Sequence, residues 1–164
     1  GKKVVTAADV LAGKVGIGRG NALVIGGGMV GCEVADWLAS RGLDQPTGSV
    51  HVTMVEMLQD IGMAEIPQTR MLLIPRLEQK GVKWITSAPV KQLTEDGAVY
   101  TKDGRDETIC GMDFIIIACG ATSVDDLSEK IKDKVPEVYS IGDAKKARKA
   151  LEAIAEAAEI ARKI

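Results

Sequence analysis

The six residues Gly26-Gly27-Gly28-Met29-Val30-Gly31 spell G-x-G-x-x-G directly after the apolar run Ala22-Leu23-Val24-Ile25 and directly before a helical pattern. A buried strand that turns tightly into a helix leaves the first N–H groups of the helix unpaired and adds the positive end of its dipole, which suits a pyrophosphate. Each spaced glycine has its own reason in such a turn. Gly26 allows the tight bend, Gly28 lets backbone approach phosphate, and Gly31 lets the helix close onto the strand. The candidate pyrophosphate loop is therefore Gly26, Gly27, Gly28, Met29, Val30 and Gly31, and the expected ligand is a dinucleotide.

The following segment supports this. Val30, Val34, Trp37, Leu38 and Arg41 fall at helical spacing, with Glu33, Asp36 and Ser40 on the other faces and Gly42 as a C-cap. The next strand runs from Val50 to Val55 and ends at Glu56, where such folds carry the acid that bonds the adenosine ribose hydroxyls. Glu56 lies 25 residues after Gly31, and the polar stretch Asp44 to Gly48 reads as an inserted loop. A carboxylate repels a ribose 2′-phosphate, and neither Met57 nor Leu58 offers a cation to hold one. NAD(H) is thus favoured over NADP, with Glu56 and Met57 at the ribose end.

At 164 residues, with 46% hydrophobic residues and a net charge of −2, the composition is that of a soluble globular protein. No excess of positive charge draws in nucleic acid, no apolar run spans a bilayer, and no signal-peptide pattern is present, so the expected setting is the cytoplasm. Cys32, Cys110 and Cys119 form neither a CxxC pair nor a metal-ligand cluster and read as reduced and mostly buried. Cys32 sits where a helix N-terminus would stabilise a thiolate, but a small apolar role beside a tightly packed glycine accounts for it. His51 has no second ligand near it in sequence and reads as structural or surface. No metal site is expected. The chain begins Gly1-Lys2-Lys3, with Gly1 read as a tag scar on a piece excised from a longer protein.

Ile66 to Lys80 reads as a helix entered at Pro67 and ended by Gly81, with Met71, Leu72, Leu73, Ile74 and Leu77 as its apolar face. Pro75 predicts a kink or two short helices. A third parallel strand is expected at Val82 to Ile85. Beyond it, Asp96-Gly97 and Asp103-Gly104 punctuate strand-like stretches beginning near Val90, Ala98 and Glu107. Asp-Gly supplies the positive backbone angles of tight hairpins, which predicts an antiparallel meander. Phe114 to Ala118 then reads as a fully buried strand ending in the small residues Cys119-Gly120-Ala121.

This meander in place of a crossover helix, followed by a strand ending Ala118-Cys119-Gly120, resembles the pyridine-nucleotide domain of flavoprotein reductases related to the disulfide reductases. The last third carries Val138-Tyr139-Ser140-Ile141-Gly142-Asp143 and then a helix running nearly to Ile164, with Leu151, Ile154, Ala155, Ala158 and Ala161 as one apolar stripe. Asp143 is a good N-cap at a strand-to-helix junction. Gly142-Asp143 also resembles the motif whose aspartate bonds the ribityl chain of FAD, and the two readings are compatible.

Val4 to Leu11, Gly26 to Glu33 and Arg148 to Ile154 look more narrowly like the C-terminal region of old-yellow-enzyme-like NADH:flavin oxidoreductases, the 2-enoate and 2,4-dienoyl-CoA reductases. The resemblance implies an α/β, three-layer Rossmann-like FAD/NAD(P)-binding fold: a parallel sheet with helices on one side and a three-stranded antiparallel meander on the other. It implies that residues 1–20 are a linker from a missing FAD half. Residues 21–123 are the NAD(P)-binding domain, with the meander at about 89–111, and residues 124–164 are a C-terminal segment with the FAD-type motif. Relatives of this kind also carry an FMN barrel and an iron–sulfur cluster, both in the missing portion, and their remaining FAD and FMN domains are the expected partners. Gly16-Ile17-Gly18-Arg19-Gly20 has the wrong spacing for a first FAD fingerprint, and Ala147 stands where relatives often have proline.

On this resemblance Ala118 and Gly120 let the nicotinamide half lie against backbone. Glu33 either lies near where flavin and nicotinamide meet or is a first-turn acid favoured by the helix dipole. Asp143 belongs to the flavin site. No residue is expected to act as general acid, base or nucleophile. Lys145-Lys146 and Arg162-Lys163 read as solvated helix faces, the first pair with a cofactor phosphate as a second option. The implied function is placement of nicotinamide for hydride transfer to FAD, the isolated piece being inactive alone. The alternative is a regulatory dinucleotide-sensing module, as in the gating domains of potassium transport, which would continue in regular strand–helix alternation; the paired Asp-Gly turns between Val90 and Cys110 and the Gly142-Asp143 element argue against it. A flavin site at Gly26 to Gly31, as in simple monooxygenases, ranks third because Gly142-Asp143 follows too closely.

Overall fold

A computed structural model describes residues 4–40, 50–63 and 66–164. The chain forms two compact units, Gly1–Gly120 and Ala121–Ile164. Arg41, Gly42 and the loop from Asp44 to Gly48 lie outside the described residues.

In the first unit, five parallel strands pair in the order β1 (Val4–Thr6), β8 (Phe114–Ile117), β2 (Gly20–Ile25), β3 (Val50–Val55), β4 (Lys83–Ile85). Helices α1 (Ala7–Leu11), α2 (Met29–Ser40) and α3 (Pro67–Gln79) connect or follow these strands. A separate antiparallel sheet runs β5 (Val90–Leu93), β6 (Ala98–Lys102), β7 (Arg105–Ile109). Strand side chains alternate between faces, so each parallel strand feeds two cores. On the helical face Ala22, Val24, Val52, Met54 and Ile116 pack with Val34 and Leu38 of α2 and Leu73 and Leu77 of α3. On the other face Leu23, Ile25, Val55 and Ile115 pack with Ala98 and Tyr100 of the meander. The result is the three-layer α/β fold: helices, parallel sheet, meander.

Several local expectations are corrected. The stretch read as a linker supplies β1 and α1 to this unit, with Val4 to Thr6 in register with Ile115 to Ile117. Thr6 caps α1, its Oγ1 accepting from the Asp9 N–H at 3.1 Å. Pro75 does not divide α3, which runs unbroken from Pro67 to Gln79. Proline 75 lies on the exposed face of the helix, so the carbonyl left without its partner lies where water can reach it. That helix buries only Leu73 and Leu77, one turn apart, while Met71 and Leu72 face solvent. On α2, Val30 is exposed, and Asp36 turns to α3, where its Oδ1 accepts from Arg76 Nε at 2.9 Å and Lys80 Nζ at 2.6 Å.

The two Asp-Gly pairs differ. Asp103 and Gly104 have φ of 51° and 75°, the geometry of a two-residue hairpin between β6 and β7. Gly97 is not in the left-handed region. Glycine is required there because a Cβ would lie 1.9 Å from the Ile109 carbonyl oxygen. Strand β7 begins at Arg105, two residues ahead of the expected start.

The second unit contains α4 (Ser128–Ile131), a 3-10 turn at Gly142–Ala144 and α5 (Ala150–Ala161). Residues 138–140 form no strand, since this unit has no sheet to pair with them. Within it only Gly142 is buried. The α5 stripe runs the opposite way from a core stripe, with Leu151 and Ile154 exposed.

Candidate functional site

Chain order places the candidate site where β2 hands on to β3 on one side while β8 returns on the other, and crevices at the carboxyl ends of such strands receive ligands. The loop Gly26 to Gly31 leaves β2 there, and Ala118 to Gly120 leaves β8. Backbone pairing carries both strands to their ends. Gly26 N–H donates to the Val55 carbonyl at 2.9 Å, and Ala118 N–H donates to the Ile25 carbonyl at 2.8 Å.

Three of the four glycines of the loop are held to glycine by close contacts, each with a different neighbour. Gly26 has φ +103°, and a Cβ on it would lie 2.6 Å from the Ala118 carbonyl oxygen. A Cβ on Gly31 would lie 2.0 Å from the Gly26 carbonyl oxygen, so the first turn of α2 rests directly on the loop. At Gly27 a Cβ would meet Ile61 Cγ2 at 2.6 Å. Gly28 alone meets nothing within 4 Å. That open space sits immediately ahead of α2, where the unpaired N–H groups of the first turn point. The Gly28 carbonyl accepts from Cys32 N–H at 3.0 Å, so Gly28 is the cap residue of the helix. An open glycine, flanked by packed glycines and followed by a helix N-terminus, has the form of a pyrophosphate cradle.

Glu56 follows β3 and is buried, the one residue of the polar and charged types so classed among the described residues. Its Oε2 accepts from Gly27 N–H at 2.5 Å and its Oε1 from Leu58 N–H at 2.7 Å. The segment after it bends back over the loop, with Gly62 N–H donating to the Gly27 carbonyl at 2.7 Å. Arg70 of α3 clips that segment, its Nε donating to the Ile61 carbonyl at 3.1 Å and its guanidinium pairing with Asp60. Glu56 is legible in the sequence, whereas the parts of Ile61, Gly62 and Arg70 are not. The available signal was Asp60-Ile61-Gly62 itself, a turn with a glycine at φ +65° shortly after the acid.

Of the other sequence candidates, Met57 is exposed beside Glu56, Met29 is half-buried, and Val30 and Glu33 lie on the open side of α2. Gly120 has φ +85° with no atom within 4 Å of a Cβ position, leaving room beyond the end of β8. The cysteines are not mostly buried. Cys32 is buried, its Sγ donating to the Gly27 carbonyl at 3.4 Å, whereas Cys110 and Cys119 are exposed because each follows a strand as it leaves its sheet. Partial burial of Cys119 pushes its thiol above the ordinary range, a hydrogen bond at the Ala118 backbone works against this, and the Glu56 charge adds to it. His51 is exposed on β3.

Asp143 lies in the second unit. It is not the N-cap of α5, a position held by Lys149. Its Oδ1 accepts from the Arg148 N–H at 3.1 Å, tying the turn to the residues ahead of the helix. Gly142, at φ +60°, donates its N–H to Glu156 Oε2 at 2.8 Å. Arg148 also pairs with Glu156, and this contact, followed by the Gly142 hydrogen bond, holds the Glu156 carboxyl below its usual range. Lys145 and Lys146 precede α5 and do not lie on it, and Lys145 Nζ stands 3.7 Å from Glu156.

Residues 1–160 match the family described as pyridine nucleotide-disulphide oxidoreductase. Cinnamate reductase of Clostridium sporogenes is 33% identical over 165 residues, covering 99% of this chain and 24% of that protein. An NADH oxidase of Thermoanaerobacter brockii is 34% identical over 156 residues, covering 93% of this chain and 23% of that protein. Among solved structures, a 2-naphthoyl-CoA reductase complex superposes with a TM-score of 0.78 at 28% identity, over 99% of this chain and 24% of that one. The chain thus spans about a quarter of the length of these relatives.

Proposed function

Since the chain belongs to the pyridine nucleotide-disulphide oxidoreductase family, we propose that its first unit binds NAD(H) and that the chain is the nicotinamide-dinucleotide part of a larger flavin-dependent NADH oxidoreductase of the enoate or dienoyl-CoA reductase kind. The observation that carries this reading is the pairing of an open Gly28 at the start of α2 with the buried Glu56 carboxylate on the neighbouring peptide. The first suits a pyrophosphate and the second a ribose diol. NADP is disfavoured because a 2′-phosphate would have to approach the Glu56 carboxylate.

In this reading the loop from Gly26 to Gly31 orients the phosphates, Glu56 fixes the ribose with Met57 beside it, and the backbone from Ala118 to Gly120 leaves room for the nicotinamide half. A bound nicotinamide supplies the hydride, and the protein supplies placement. Glu33, on the open side of α2, faces the region where an acceptor would approach or serves as a charge near the helix start. The second unit, with Gly142 and Asp143, supplies part of an FAD site that the remainder of the longer protein completes, and any FMN barrel and iron–sulfur cluster belong to that remainder. The chain alone accordingly binds dinucleotide without turning over. A cytoplasmic setting goes with this reading, and no helix among the described residues is long and apolar enough to cross a membrane.

Calorimetric titration of the chain with NADH, NADPH and FAD in parallel tests the proposal. NADH binding, weaker NADPH binding and negligible FAD binding are expected. Stoichiometric FAD binding with no response to NADH would overturn it and make Gly26 to Gly31 a flavin site.

A further inference from the structure

Glu56 carries more than ribose recognition requires. Its backbone is fixed on both sides, its N–H donating to the Ile85 carbonyl and its carbonyl accepting from Ala88 N–H, each at 2.9 Å. Its two carboxylate oxygens are divided between two backbone donors, Gly27 N–H and Leu58 N–H. Gly27 is the middle of the three consecutive glycines that open the phosphate loop, and its carbonyl is engaged from the other side by Gly62 N–H. The Gly27 residue is therefore pinned through both its N–H and its carbonyl, and its neighbour Gly28 is the residue facing open space.

We propose that Glu56 is a positioning residue for the pyrophosphate loop: its carboxylate holds the Gly27 N–H and so presets the loop and the start of α2 for phosphate before any ribose is bound. This rests on the dinucleotide reading above. It also makes a chemical demand that ribose recognition alone does not. Two N–H donors need two acceptor oxygens, and a carboxylate has them. The isosteric amide of glutamine has one oxygen and one NH2 group, so either Gly27 or Leu58 would face a second donor. An acid at this position thus affects ligands that have phosphates but no ribose hydroxyls.

The test compares ADP with 2′,3′-dideoxyadenosine 5′-diphosphate, which keeps the phosphates and loses both hydroxyls, on the unaltered chain, Glu56→Gln and Glu56→Asp. Loss of a charge-assisted hydrogen bond at the loop predicts that Glu56→Gln weakens both ligands by on the order of tenfold to a hundredfold. Glu56→Asp, which keeps both oxygens on a shorter stem, should recover part of that loss, and it carries the same comparison if the amide variant does not fold. In the free protein the Gly27 amide proton should move upfield in Glu56→Gln while the amides of Leu23 and Val24 in β2 stay in place. Weakened ADP binding with unchanged dideoxy-ADP binding and an unmoved Gly27 amide would overturn the proposal and leave Glu56 a ribose ligand only. If the unaltered chain binds neither ADP nor NADH, the dinucleotide reading fails with it, and that outcome is distinct from the selective one.

Discussion

The two units bury their apolar residues in opposite ways. The unit ending at Gly120 has a core on each face of its parallel sheet, with Leu38, Met54, Ile115 and Ile116 fully buried. The unit from Ala121 to Ile164 buries only Gly142 and turns Leu151 and Ile154 of α5 outward, 74% and 67% exposed. In place of a core it has an open cleft of about 310 Å³ lined by residues such as Val124, Leu127, Ile131 and Tyr139. Its order comes from polar contacts, the Glu156 carboxylate holding the Gly142 N–H and the Arg148 guanidinium. A segment of this size cannot exclude enough water to be stable through its own apolar burial. One unit thus has its own core and the other is a part whose apolar face needs a cover, which the proposed reading assigns to the flavin-binding remainder of a longer protein.

That contrast can be broken in several ways. The largest effect is expected at Gly31, where a methyl group would meet backbone. Gly31→Ala should cost about 4 kcal/mol or more in a melting experiment. Gly28→Ala should change stability by no more than about 0.5 kcal/mol while weakening NADH in titration, because only the ligand would meet the added carbon. Next, Leu38→Ala in the first unit should cost about 2–5 kcal/mol, whereas Leu151→Ala in α5 should cost about 0.5 kcal/mol or less. Equal costs at the two leucines in denaturant titrations would erase the distinction between core and uncovered face.

Limited trypsin digestion sharpens the comparison further. Cleavage should begin after Lys130, Lys132, Lys134, Lys145 or Lys146, and a resistant fragment ending at Lys130, the first basic residue beyond the boundary at Gly120, should accumulate, since proteolysis follows local opening. Early cuts within the parallel sheet would contradict this. The smallest effect concerns acid. The folded-state pKa of Glu156 is depressed by Arg148 and Gly142, so its contribution to stability is present above its ordinary value near 4.5 and is lost as pH falls through the lower folded value. An NMR pH titration should show the Gly142 amide moving in that acid window, and Glu156→Gln should abolish the movement.

Much of the first unit was legible because its signals are local. The G-x-G-x-x-G turn, the doubly apolar Phe114 to Ile117 and the Asp103-Gly104 hairpin each depend on neighbours in sequence. What was not legible depends on partners far along the chain. Val4 to Thr6 is too short to read as a strand until Ile115 to Ile117 pair with it. Gly97 owes its identity to the Ile109 carbonyl, not to its own backbone angles. The α5 periodicity revealed an apolar stripe, but periodicity alone does not say what covers a stripe, and here its large members Leu151 and Ile154 stay exposed. At the candidate site, Glu56 was identifiable from its place after β3, while its hold on Gly27 spans 29 residues and needed the fold.

The most direct test of the dinucleotide site proposed for the first unit, and of the unfinished flavin part proposed for the second, is amide chemical-shift mapping of the isotopically labelled chain titrated with NADH. The account predicts saturable shifts at Gly27, Gly28, Val30, Met57 and Gly120, with Leu151 and Ile154 of α5 unmoved. Shifts concentrated at Gly142, Asp143 and α5, with the glycine loop unmoved, would contradict it.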